Sequence, residues 1–127
     1  MTLETERLLL RELNPKDAAV LNAIESDPRV TRYMAFDPQT PDQTRAYIEA
    51  ALRDQSSDPR RTYDLAVTVR GTTRLIGRCG LGINRPEHAE ATLWYLLHPA
   101  EWGRRYAVEA AGAMLDFAFG RLGLHRV

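Results

Sequence analysis

Two rhythms of apolar residues run through this 127-residue chain. Leu3 to Leu13 alternates loosely, with Leu8 and Leu10 set against Arg7, Leu9 and Arg11, which predicts an opening strand. Asn14-Pro15 supplies a helix cap with proline at the first helical position, and Val20, Leu21 and Ile24 give that helix a buried side until Ser26-Asp27-Pro28 ends it. Thr40-Pro41-Asp42-Gln43 has the composition of a capping box and opens a second helix, with Tyr47, Ile48, Ala51 and Leu52 on one face. Beyond the polar loop Asp54 to Arg61, Tyr63, Leu65, Val67 and Val69 alternate in one strand. Leu75, Cys79, Leu81 and Ile83 share a face of the next, and Arg70-Gly71-Thr72-Thr73 joins the two. Ala89 to Leu97 predicts a further strand, with Ala91, Leu93, Tyr95 and Leu97 on one face and Glu90, Thr92, Trp94 and Leu96 on the other.

The rhythm then changes. From about Tyr106 to Arg121, the residues Ala107, Ala110, Ala111, Met114, Leu115, Ala118 and Leu122 recur at three- and four-residue steps, so they share one face of a long helix that Gly123 ends. Leu124-His125-Arg126-Val127 begins another strand. The order β-α-α-β-β-β-α-β defines an α/β (α+β) fold in which antiparallel hairpins precede a crossover helix. Where the strand ending at His98-Pro99 passes through Gly103 and two arginines into the long helix, the first-turn N–H groups have no intrahelical partner and the helix dipole is positive. That turn is a candidate anion site, suited to a phosphorylated cofactor.

Length and charge narrow the function. The chain is long enough for one core, hence one domain. Seventeen basic and seventeen acidic side chains cancel, so nothing asks for a nucleic-acid surface. A single cysteine excludes an internal disulfide framework and a Cys-based zinc site, and three scattered histidines predict no metal. Cys79 alternates with core residues and reads as packing; His88, His98 and His125 read as turn or strand residues without local partners. No apolar run is long enough for a membrane span, and the N-terminus has no signal-peptide pattern, so a cytoplasmic protein is expected.

TERLLLREL (Thr5 to Leu13), LIGRCGL (Leu75 to Leu81), LWYLLHP (Leu93 to Pro99), WGRRYAVEA (Trp102 to Ala110) and the closing AFGRLGLHRV together resemble the GNAT superfamily of acetyl-CoA-dependent N-acetyltransferases, closest to its RimJ/RimL-like branch. The resemblance runs over the whole chain in order. It implies a twisted mixed β-sheet flanked by helices, acetyl-CoA as co-substrate, no metal, and direct transfer to a primary amine (a protein N-terminus or a small molecule) in a ternary complex. The family's pyrophosphate loop, Arg/Gln-x-x-Gly-x-Gly/Ala, falls on Trp102, Gly103, Arg104, Arg105, Tyr106 and Ala107, with Arg105 where glycine is expected. Leu96 and Leu97 take the strand positions that pair with the pantetheine arm, and acceptor contacts are expected from Tyr33 to Gln39 and the helix after Thr40.

Further departures follow from the same resemblance. A glutamate often stands at the position of Thr92; Glu90, two residues away on the same strand face, is the substitute named here as general base. The family continues beyond LHRV with a helix and two strands, so the resemblance implies a domain incomplete at its C-terminus. An unpaired sheet edge is then expected to drive homodimer formation. The alternatives to an active transferase are a non-catalytic acyl-CoA-binding remnant and a structural oligomer.

Overall fold

The computed structural model describes all 127 residues. Strands β1 (Thr2–Glu4), β2 (Leu8–Glu12), β3 (Thr62–Val69), β4 (Leu75–Arg85) and β5 (Glu90–Leu97) form one sheet in that spatial order, with every neighbouring pair antiparallel. Its parallel component is an isolated bridge from Glu90 to Arg126, where the last residues touch the start of β5. Helices α1 (Ala18–Glu25), α2 (Pro28–Thr31) and α3 (Pro41–Gln55) follow β2, and α4 (Tyr106–Asp116) follows β5. No helix is long and apolar enough to cross a membrane.

The sheet separates two cores. Leu8, Leu10, Leu65, Val67, Cys79 and Leu81 face Ala110 and Met114 of α4 and Ala118 just beyond it. Leu13, Ala66, Leu75 and Leu96 face the other way, against Leu21, Ile24, Val30, Ile48 and Ala51 from α1, α2 and α3. Pleat alternation assigns each residue to a side, and burial of these side chains is the main force holding helices to sheet.

Local chemistry explains the boundaries. Thr40 and Gln43 form a reciprocal capping box at the start of α3. Asn14 caps a 3₁₀ turn, Pro15–Asp17, that leads into α1. Gly123 adopts a left-handed φ of 66° just past the last helical turn, as its C′ role requires.

Four sequence expectations need correction. The opening strand is a hairpin, β1 and β2, because Thr5 Oγ1 accepts the N–H of Leu8 at 2.9 Å and turns the chain over. Asp27 starts α2 by accepting the N–H of Arg29, so the stop at Pro28 is also a start. A register shift opposite Val67 and Thr68 places Leu75 on the α1–α3 face, apart from Cys79 and Leu81. The long helix gives way to a π-helical turn at Phe117–Arg121, which rotates Phe117 into the core beside Ala118.

One polar cluster lies inside the α1–α3 core. Arg78, on β4, is 3% exposed. Its Nε donates to Glu25 at 2.8 Å and its Nη1 to the Tyr47 hydroxyl at 2.6 Å, and Nη1 lies 3.7 Å from Asp64 Oδ2. The Trp94 indole N–H donates to the same Asp64 oxygen at 3.3 Å, with its ring lying over Gly80. A Cβ on Gly80 would come within 2.2 Å of that ring.

Burial pushes the Asp64 carboxyl up to about 6, with Arg78 and Trp94 offsetting only part of the penalty. Unfolded, it titrates near pH 4, at about 3.9. Between those values the folded chain keeps a proton that the unfolded chain has released, so this group's contribution to stability falls as pH rises through the window. Asp64→Asn has no such proton to lose. The unfolding free energy of the variant minus that of the parent, from urea melts, is expected to rise by about 2 kcal/mol between pH 4 and pH 7. A difference that stays flat would refute this.

Candidate active site

The site grows from the end of β5. His98 follows the strand, and its Nδ1 accepts the N–H of Ala100 at 3.0 Å, fixing a 3₁₀ turn at Pro99–Glu101. Trp102 then folds back, its indole N–H donating to the carbonyl of Leu97 at 3.0 Å. Gly103 and Arg105 both adopt left-handed backbone, with φ of 83° and 63°. Arg105 is thus an arginine in a conformation that favours glycine.

That backbone sets the electrostatics of the helix start. Arg105 offers α4 no capping side chain. None of the backbone N–H groups from Gly103 to Val108 donates to a protein oxygen, so the first turn of α4 keeps its unpaired donors. The α4 helix is anchored from beneath. Glu109 accepts the backbone N–H of Arg7 at 2.8 Å and its Nε at 2.7 Å, and also bonds Thr5. Burial works against ionisation of Glu109, yet these bonds hold its carboxyl below the ordinary carboxylate range. The Arg7 guanidinium also stacks 4.5 Å from the centre of the Tyr106 ring.

Two cavities meet here. An apolar cleft of about 420 Å³ is walled by Val30, Tyr33 and Met34 on one side and Tyr95, Leu96 and Leu97 on the other, with Trp102 and Ala107 closing it. A second space of about 340 Å³ lies against Glu101, Gly103, Arg105 and Tyr106 and shares Leu97, Trp102 and Ala107 with the first; the Glu101 carboxylate there is ion-paired with Arg74 and Arg104. Tyr33 and Trp102 meet edge to face at the mouth, ring centres 6.3 Å apart. The result is an apolar slot that runs into an amide-lined, arginine-bearing helix start.

Strand pairing decides which backbone groups face that slot. His98 N–H bonds Ile76 on β4, whereas Ala91 N–H bonds Arg126 on the other side. Alternation along β5 therefore turns Leu96 toward β4 and Leu93, Tyr95 and Leu97 toward the open edge. Leu96 enters the cleft through its side chain alone; Leu97 presents backbone, with its carbonyl already held by Trp102.

The remaining expected residues are placed as follows. Gly103, Arg105, Tyr106 and Ala107 converge at the helix start. Arg104 lies there too, exposed, 3.6 Å from the buried carboxylate of Glu101, which also pairs with Arg74 from the β3–β4 turn. Glu90 is not brought to the cleft: it starts β5, seven residues and about 23 Å from Leu97. It makes no ion pair. Thr92 accepts a bond from Asn84. The expected general base is thereby displaced from the slot, whose only ionisable side chains are the phenols of Tyr33 and Tyr95. Cys79 is fully buried, and burial pushes its thiol up to about 12, which makes it packing. The wall from Val30 to Met34 carried little local signal beyond a run of large side chains, because only tertiary packing sets it opposite β5.

A sheet with helices on both faces and an apolar slot at its last strand is an architecture this chain shares with solved acetyltransferases. A family model described as an acetyltransferase (GNAT) domain matches residues 7–127. The uncharacterized N-acetyltransferase p20 of Bacillus licheniformis is 36% identical over 126 residues, spanning 99% of this chain and 70% of the relative. A GNAT-family acetyltransferase from Bacillus anthracis superposes with a TM-score of 0.83 at 26% identity, covering 98% of this chain and 70% of that one. Spermidine N-acetyltransferase from Vibrio cholerae, in complex with CoA and spermine, shares the fold with a TM-score of 0.80 at 20% identity, covering 95% and 69%. The chain belongs to the GNAT acetyltransferase family.

The two left-handed residues make a paired prediction. A Cβ at Gly103 meets no atom within 4 Å, so Gly103→Ala is expected to destabilise through backbone strain alone, by about 1 kcal/mol. Arg105→Gly is expected to leave stability unchanged or raise it, because relief of strain opposes the greater freedom of the unfolded chain. Urea midpoints of the two variants test this, and equal losses in both would show that the loop conformation is not the constraint described.

Proposed function

We propose that this chain transfers an acetyl group from acetyl-CoA to a primary amine by direct transfer in a ternary complex, as a single N-acetyltransferase domain of the RimJ/RimL-like kind. The acceptor class is a protein N-terminus or a small-molecule amine. The observation that carries this reading is the continuity of the apolar slot with the uncapped α4 start.

The residues fit the co-substrate. Amides from Gly103 to Ala107 and the charges of Arg104 and Arg105 suit a pyrophosphate. The open edge at Leu97 and the side chain of Leu96 suit an extended pantetheine arm. When bound, acetyl-CoA would supply the activated thioester; the chain's part is to hold it beside β5. Tyr33 and Tyr95 are the only side chains on its lining able to hand over a proton. The homodimer and the cytoplasmic setting are part of the proposal.

A slot without carboxylate or histidine relies on solvent to deprotonate the amine. Turnover is therefore expected to rise with pH toward the acceptor's own pKa, about 8 for an α-amine. The same lack favours the second reading, a chain that binds acyl-CoA without turnover. Calorimetry with CoA at low salt, followed by acetylation of a panel of amines, separates them. Binding with turnover supports the transferase, and saturable binding without turnover supports the second reading. Absence of heat at millimolar CoA removes both. Arg105→Gly is expected to change CoA affinity measurably, and an unchanged affinity would remove the loop from the proposed contact.

A further inference from the structure

Glu101 puts a negative charge where the proposed ligand brings its own. It lines the space at the start of α4 beside Gly103, Arg105 and Tyr106, and the residue is only 5% exposed. Its two carboxylate oxygens are served unequally. Oε1 accepts from Nη1 of Arg74, whereas Oε2 is buried without a hydrogen-bond partner and has Arg104 Nη1 3.6 Å away. The backbone fixes the first of these cations. Arg74 N–H donates to Thr72 Oγ1 at 3.1 Å, and the Arg74 carbonyl accepts the N–H of Val69 at 3.1 Å, so the β3–β4 turn delivers the guanidinium to the carboxylate. Arg104 is held by charge alone, and its side chain is 58% exposed.

We propose that Arg74 is a positioning residue for phosphate binding: by neutralising Glu101 it leaves Arg104 free to turn to a pyrophosphate at the α4 start. The inference rests on the acetyl-CoA reading and adds to that site a residue 27 positions before Glu101, one that acts without touching the ligand. A buried carboxylate on the wall of an anion site repels the anion unless a cation offsets it. Were Arg104 the sole counter-ion, a phosphate could take it only by leaving Glu101 buried and unpaired, which is strongly unfavourable. With Arg74 fixed on Oε1, the carboxylate keeps a partner when Arg104 moves. The loose contact on Oε2 and the tight one on Oε1 thus divide two tasks, one arginine held for the carboxylate and the other available to the ligand.

Calorimetric titration of CoA into the full chain and its variants is the test. Arg74→Ala is expected to weaken CoA binding about tenfold, the size of one charge-assisted hydrogen bond. Arg74→Lys keeps the charge and is expected to retain most of the affinity. Glu101→Gln removes the charge that Arg74 offsets, so the double variant Arg74→Ala/Glu101→Gln is expected to bind as tightly as Glu101→Gln alone. A turn merely loosened by the loss of Arg74, or an arginine that itself touched phosphate, would leave the double variant weak. That result, or undiminished affinity in Arg74→Ala, overturns the proposal, while CoA binding by the parent leaves the acetyl-CoA reading standing. No heat from the parent at millimolar CoA removes both. Should the double variant fail to fold, Arg74→Lys against Arg74→Ala decides, and equal losses in the two overturn the proposal.

Discussion

Everything about the candidate site depends on β5 being paired along only one backbone edge. Its even-numbered residues bond β4; its odd-numbered residues find a partner only near Ala91, where Arg126 approaches. A strand inside a sheet presents only side chains, whereas one with an open edge also presents N–H and C=O groups to whatever lies beside it. The same strand closes both cores, through Leu97 toward α4 and Leu96 toward α1–α3. Neither residue can shift without disturbing a packed interior, so the slot's wall is rigid while its edge stays open. Rigidity and an open edge are what a site for an extended acyl carrier needs.

Where the sequence was legible, the signal was local. The capping box at Thr40, the proline after Asn14 and Gly123 beyond the last helical turn each act within four residues, and each appears where its chemistry places it. Alternation in β3 and β5 also survived, because each strand separates two apolar faces that cannot exchange without burying polar groups. The elements that were not legible depend on distant partners. The turn between β1 and β2 contains neither glycine nor proline and is tied by Glu109, more than a hundred residues away. The bulge that flips Leu75 exists only in the pairing of β3 with β4.

The candidate site divides along the same line. The turn from Gly103 to Ala107 was legible as a turn, since a strand delivering glycine and arginines into a helix is a local pattern, and Arg105 adopts left-handed backbone there. The other wall was legible only in part: Tyr33 and Met34 fall in the segment expected to contact the acceptor, and Val30 does not. Val30, Tyr33 and Met34 reach β5 only because α1 and α3 hold α2 over the sheet. Glu90 illustrates the converse failure: it shares a strand face with Leu96, yet same-face residues on a strand separate by nearly 7 Å at every second step. A shared face is therefore weak evidence for a shared site.

Arg78 divides what lies beneath that face. Its register partner on β5 is Leu96, and two pairs further along Gly80 leaves room for the Trp94 ring. On the Leu96 side the lining is apolar and uncharged. On the Trp94 side it holds two carboxylates, one of them with an unsatisfied oxygen. The Arg78 guanidinium is paired with Glu25, donates to the Tyr47 hydroxyl and faces Asp64 at 3.7 Å, so its charge is compensated within the cluster. Two neighbouring spaces on one sheet thus differ in lining, one apolar and one bearing carboxylates, and the difference traces to where Asp64 stands relative to a single arginine.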